Sequence, residues 1–347
     1  VEALMLDILR TLLVHDVARV LLLAVVAALF VLLTGRGWLR VLRYMNLLKR
    51  DRDDTIEQVR SYRQLTMGGI MIVVPVVIIT VIFNLVDRWS MLLPLGVMVS
   101  YAALGLVDDY YSLTSVTSQN YGLTERVKGA LQMLIAVVAS AILYLPQPLG
   151  LAHAGVTWVP LLGFIDIGMY FVPIGAFIIW VTVNSVNITD GIDGLSGWTL
   201  LVAFAAYGVI TFVNGQFTNL MALSFTLVGA CAGYLWFNSY PAPVIMGDLG
   251  SMALGGVLAM IALQSQQWIL LPIIGAVFVV EGLSSFVQVA YFKWSRWRTG
   301  TPVRLFAMAP LHHHLRLRGW SNPQITQRFV VVAMACAFVA VAFALQP

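Results

Sequence analysis

Charge is what this sequence has least of. Asp, Glu, Lys and Arg make up 10% of its 347 residues, while 60% are hydrophobic. A water-soluble domain carries roughly 25% charged residues, so this scarcity excludes one. The mean hydropathy of +0.88 points the same way. Cysteine is almost missing as well. Cys231 and Cys336 both lie within apolar runs and read as packing residues, not as a disulfide or a metal pair. The sequence has no Gly-x-x-x-x-Gly-Lys-Ser/Thr loop and no dinucleotide-binding fingerprint, so any phosphate must be held by other means. No small-residue cleavage site follows the first apolar run, and no cleavable signal peptide is expected. The net charge of +4 is no nucleic-acid signal.

What is present is a series of long apolar runs. Closed barrels also satisfy the backbone in lipid, but they need short alternating segments. The expectation is therefore an all-α, polytopic integral membrane protein, with 1–347 forming a single domain. Ten spans are expected, at 17–35, 67–86, 90–107, 128–146, 169–187, 195–213, 218–237, 249–265, 268–291 and 327–345. The run at 249–265 is the least regular, because Gly250, Gly255 and Gly256 punctuate it. Glycines there suit close helix packing equally well. The segment 147–168, rich in Gly, Pro and Leu, is expected to lie on the outer membrane surface.

The basic residues orient the chain. With ten spans, the segments 36–63, 108–128 and 292–328 share one side, and they hold 17 of the 20 Lys and Arg residues. The positive-inside rule makes that side cytoplasmic and puts both termini outside.

Polar groups interrupt the apolar pattern on that same side. The most conspicuous stretch is Asn187-Ile188-Thr189-Asp190-Gly191-Ile192-Asp193-Gly194. Others are Thr66-Met67-Gly68-Gly69, Asp108-Asp109 just after the third span, Asn238, Gly247-Asp248-Leu249-Gly250-Ser251 and Pro310-Leu311-His312-His313-His314. Glu281 sits inside the ninth span. Taken singly, each has a plain structural account: a polar turn, a solvated helix end, an N-cap or an exposed histidine run. Their shared sidedness argues for a site. Clustered carboxylates without cysteine favour a hard cation, Mg²⁺ above all, which completes its shell with water and phosphate oxygens. Lys128, Arg304 and the histidines could hold further phosphate charge. An ion-coupled transporter is the rival from another class, but its ionisable groups belong near the midplane.

Together these motifs resemble the polyprenyl-phosphate N-acetylhexosamine-1-phosphate transferases. Within them, Ala309-Pro310-Leu311-His312-His313-His314 followed by Gly319-Trp320 resembles the branch that uses a muramoyl-pentapeptide donor. The resemblance runs from about Thr66 to the end of the chain. It implies Mg²⁺-dependent transfer of phospho-N-acetylmuramoyl-pentapeptide from its UDP derivative to undecaprenyl phosphate, with release of UMP. The setting it implies is the bacterial cytoplasmic membrane. Residue by residue, it implies Asp248 as metal ligand, Asp108 and Asp109 as a catalytic pair, and His312 and His313 as active-site histidines. Lys128 matches a lysine near the phosphates, while Asn187, Asp190, Asp193 and Asn238 match polar residues lining the nucleotide cleft. Thr66, Arg304 and His314 complete the candidate substrate-binding set. The sister activity with UDP-N-acetylglucosamine is the alternative, and a homodimer is left open. The chain departs from the family pattern in places. The family motif Lys-x-Gly-Thr-Pro-Thr stands here as Ser61-Tyr62-Arg63-Gln64-Leu65-Thr66, and Phe-Glu after the histidines is Leu315-Arg316. Leu249 replaces the Thr often found after the metal Asp.

Overall fold

A computed structural model describes residues 2–48, 64–84, 91–114, 122–146, 150–151, 155–214 and 218–345. Ser61, Tyr62 and Arg63 lie outside the described residues. The helices are α1 (Glu2–Tyr44), α2 (Ile70–Phe83), α3 (Leu92–Thr114), α4 (Glu125–Tyr144), α5 (Phe171–Thr189), α6 (Leu195–Val213), α7 (Thr218–Asn238), α8 (Gly247–Gln264), α9 (Leu271–Ile274), α10 (Ala276–Thr299), α11 (Leu311–Leu317) and α12 (Asn322–Ala344). Among the described residues, nine of these are long and apolar enough to cross a membrane. The apolar α2, with 14 residues, falls on the second expected span, 67–86. At 1.5 Å per residue it reaches about 21 Å.

The expected spans therefore each have a helix, with three adjustments. The first helix reaches beyond its apolar run to Tyr44. The ninth begins at Ala276, not 268, and continues to Thr299. Pro272 and Gly275 divide the preceding apolar run into a 3-10 turn (Trp268–Leu270) and the short α9. Asp108 and Asp109 are also not beyond the third span but inside α3, and both are buried. Part of the 147–168 segment forms an antiparallel hairpin of β1 (Val156–Val159) and β2 (Gly163–Asp166).

The central element is α8, most of whose residues are buried. Small residues let its neighbours come close, as in other membrane helix pairs. A Cβ on Gly69, at the start of α2, would overlap the Gly250 Cα, and one on Gly105 of α3 would overlap the Asp248 carbonyl. Gly255 and Gly256 of α8 pack against Val183 of α5 and Tyr101 of α3. The glycines that interrupt the eighth run are thus contacts, not breaks. The segment leading into α2 runs beside the one leading into α8: Gly68 N donates to Ile245 O at 2.9 Å and Gly69 N to Met246 O at 2.9 Å. This pairing brings the starts of α2 and α8 together beside α3.

Candidate active site

The site is built where α8 begins. Gly247 has φ +73°, a conformation that glycine adopts without strain. Any Cβ there would also press on Asp109 Oδ2 at 2.7 Å and Thr66 Oγ1 at 2.8 Å. The turn it allows presents Asp248 in the first turn of α8. Asp248 Oδ1 accepts from Asn187 Nδ2 at 2.8 Å, and the same amide donates to Ser251 Oγ at 2.8 Å. Lys128, from the first turn of α4, forms an ion pair with Asp248 and a second with Asp108 Oδ2 at 3.0 Å. One ammonium therefore joins carboxylates from α3 and α8.

The adjacent acids on α3 face different partners. Successive helical residues point about 100° apart, and each acid accepts from a different backbone N–H. Asp108 Oδ1 accepts from Leu123 N at 2.7 Å, which ties the start of α4 to α3. Asp109 Oδ2 accepts from Leu249 N at 3.1 Å, one of the free N–H groups at the α8 N-terminus. Asp190 closes the other side: Oδ2 accepts from Gly247 N at 3.0 Å and Oδ1 from Ser196 Oγ at 2.6 Å.

Asp108, Asp109, Lys128, Asn187, Asp190, Asp248 and Thr66 are thus brought into one network. Asp193 and Asn238 join it differently. Asp193 accepts from Gln64 Nε2 at 2.8 Å and Ala242 N at 3.0 Å. Asn238 accepts from Gly194 N at 3.1 Å and donates to Val244 O at 2.8 Å. Both are buried and pin the backbone behind the site, so the structure does not place them as free cleft-lining groups.

The histidines form a short helix, not an open loop. His312 is fully buried, with Nδ1 2.9 Å from Glu281 Oε2. The rings of His312 and His313 lie 4.2 Å apart, and His314 Nδ1 accepts from Ala307 N at 3.2 Å. His313 and His314 are half-buried. Arg304 is exposed and is not linked to the carboxylates. Leu315 packs near Ile192, Leu195 and Ile325. Arg316 is held below the usual guanidinium range by burial, against the opposing pull of Asp193. Sequence reasoning missed the role of Gln64, whose amide has no local signature, and the pairing of Glu281 with His312 across 31 residues.

The donor set suits a hard cation. Asp248 and Asp108 offer carboxylate oxygens at the same ammonium, and the Ser251 hydroxyl lies nearby, bonded by the Asn187 amide that also holds Asp248. Among the described residues no three His, Cys, Asp or Glu side chains form a metal-holding group. One or two carboxylates are what Mg²⁺ ordinarily takes from a protein, the rest of its shell being water and phosphate.

Comparison with known proteins defines the class first. Residues 91–266, spanning α3 to the end of α8, match the model of glycosyl transferase family 4. The phospho-N-acetylmuramoyl-pentapeptide-transferase of Chloroflexus aurantiacus is 55% identical over 341 residues, covering 98% of this chain and 93% of the relative. Its namesake from Chloroflexus aggregans is 54% identical over the same length, and that of Desulfosudis oleivorans is 35% identical over 80% of this chain and 78% of its own. The chain belongs to glycosyl transferase family 4 and, within it, to the phospho-N-acetylmuramoyl-pentapeptide-transferases.

Proposed function

We propose that this protein transfers phospho-N-acetylmuramoyl-pentapeptide from its UDP derivative to undecaprenyl phosphate, releasing UMP and forming lipid I. The observation that carries this reading is the Asp108–Lys128–Asp248 network at the meeting of α3, α4 and α8. In this reading it is the place where a lipid phosphate anchored by its tail meets a soluble nucleotide. An oxygen of the acceptor phosphate attacks the phosphorus that bears the sugar. The bond from that phosphorus to the bridging oxygen breaks, the oxygen leaves with UMP, and a new lipid pyrophosphate remains. Asp248 would hold Mg²⁺, which would supply Lewis-acid neutralisation of the donor pyrophosphate. Lys128 offsets further phosphate charge, and Asp108 or Asp109 orients the attacking phosphate or takes its proton. Asn187 holds the Asp248 carboxylate in place.

Donor choice tests the reading. The purified protein, given undecaprenyl phosphate, should show a higher kcat/KM for UDP-N-acetylmuramoyl-pentapeptide than for UDP-N-acetylglucosamine. The opposite preference transfers the assignment to the sister activity.

The site faces the cytoplasm of a bacterial cell in this proposal. Its support is the concentration of 17 of 20 basic residues on the side where α10 ends in Arg296 and Arg298. With Arg298→Cys in otherwise cysteine-free protein, a membrane-impermeant thiol reagent should label inverted vesicles and not intact cells. Labelling of intact cells would reverse the orientation.

A further inference from the structure

Two acceptors on α10 receive the first N–H groups of α11. The Ser284 hydroxyl accepts from Leu311 N at 3.0 Å, and Glu281 Oε1 accepts from His312 N at 3.2 Å. Pro310, at the N-cap, provides no side-chain cap, so α10 supplies what α11 lacks. Capping alone does not require a carboxylate. A fully buried acid in a membrane-spanning helix is costly unless it serves a second purpose.

The ring of His312 supplies that purpose. Glu281 Oε2 lies 2.9 Å from His312 Nδ1, and neither side chain is exposed. Against a carboxylate oxygen Nδ1 has to donate, and a singly protonated imidazole that donates there keeps Nε2 as an acceptor. Nε2 is buried and has no hydrogen-bond partner among the described residues. It presses on Gly191, where a Cβ would overlap it. Gly191 follows Asp190, which holds Gly247, so the bare nitrogen sits directly behind the turn that shapes the site.

We propose that Glu281 is the positioning residue of His312. It fixes the tautomer in which Nε2 accepts a hydrogen bond from an N–H or O–H of the sugar–peptide donor, reached as the Gly191 turn yields to that donor. This rests on the transferase reading above, but the tautomer is measurable without turnover. Two-bond ¹H–¹⁵N correlation spectra of the full-length protein in micelles report it, with the His312 signals identified by their loss in His312→Ala. The wild type should show a protonated Nδ1 and an unprotonated Nε2. Glu281→Gln introduces an amide N–H₂ beside the two His312 donors, and should lose that tautomer. Its kcat, normalised to folded protein, should fall by ~10², with KM changed by less than about threefold. Glu281→Asp should recover part of the loss. Ser284→Ala removes a cap bond without touching the ring, and should keep both the tautomer and kcat.

A wild-type His312 protonated at Nε2 overturns the proposal, as does Glu281→Gln with an unchanged tautomer or kcat. Equal losses in Glu281→Gln and Ser284→Ala would reduce Glu281 to a helix cap, which also overturns it. If the wild type transfers nothing while the expected tautomer is seen, the transferase reading fails and the orientation of His312 by Glu281 stands.

Discussion

Asp248→Asn is expected to lower turnover by ~10³ or more, within the range for lost acid–base or charge-stabilising groups. The substitution keeps the size and shape of the side chain and removes its charge. Asn187 can still meet the remaining oxygen, and the apolar packing of α8 around Met252, Leu254 and Val257 is untouched. The thermal melting profile in detergent should therefore stay close to that of the wild type. What disappears is the anionic oxygen paired with Lys128, and with it the negative charge on which the proposed cation binding depends. Mg²⁺ binding, read by competition with Mn²⁺ in spin-resonance titrations, should be lost along with activity. Near-normal turnover at saturating Mg²⁺ would remove Asp248 from the chemistry.

Asp108→Asn and Asp109→Asn should each lower kcat by ~10², for different reasons. Asp108 is an ion-pair partner of Lys128, so its neutralisation leaves the ammonium paired with Asp248 alone. The ammonium is then no longer held between α3 and α8, and so is less well placed toward the donor phosphates. Asp109 faces the N-terminus of α8 through Leu249 N. Its neutralisation also weakens a charge–dipole contact of about 0.3–1 kcal/mol. Steady-state kinetics separates the roles. If both variants keep kcat and only KM rises, the pair contributes ground-state binding and not transition-state stabilisation.

The helices are legible because lipid demands long apolar runs; among the described residues nine of the ten expected runs hold a helix long enough to span, and the second holds the shorter α2. The ninth span was misplaced because Trp268–Ile274 is apolar enough to pass for its beginning. Only the break at Gly275 shows that the span starts later. Asp108 and Asp109 were put outside α3 because carboxylates are disfavoured in an apolar helix. Lys128 and two backbone N–H groups compensate them there, and those partners come from α4, α8 and the residues before α4. No local pattern reveals an ion pair between residues 120 positions apart, such as Lys128 and Asp248. The motifs did identify the network residues by type. They did not distinguish Asp190, which shapes the entry to α8, from Asp193, which is occupied by Gln64 and Ala242. The histidines resemble an exposed polar run in sequence. The buried state of His312 depends on Glu281, and on a glycine at 191 that lets the ring approach.

The central claim is that the bond broken lies between the two phosphates of the donor, not between sugar and phosphate. The nucleotide product reports this directly. With UDP-N-acetylmuramoyl-pentapeptide, undecaprenyl phosphate and Mg²⁺, chromatography of the quenched reaction should show one UMP for each lipid-linked sugar pyrophosphate formed. Release of UDP in that stoichiometry would mean transfer of the sugar alone, and would contradict the account.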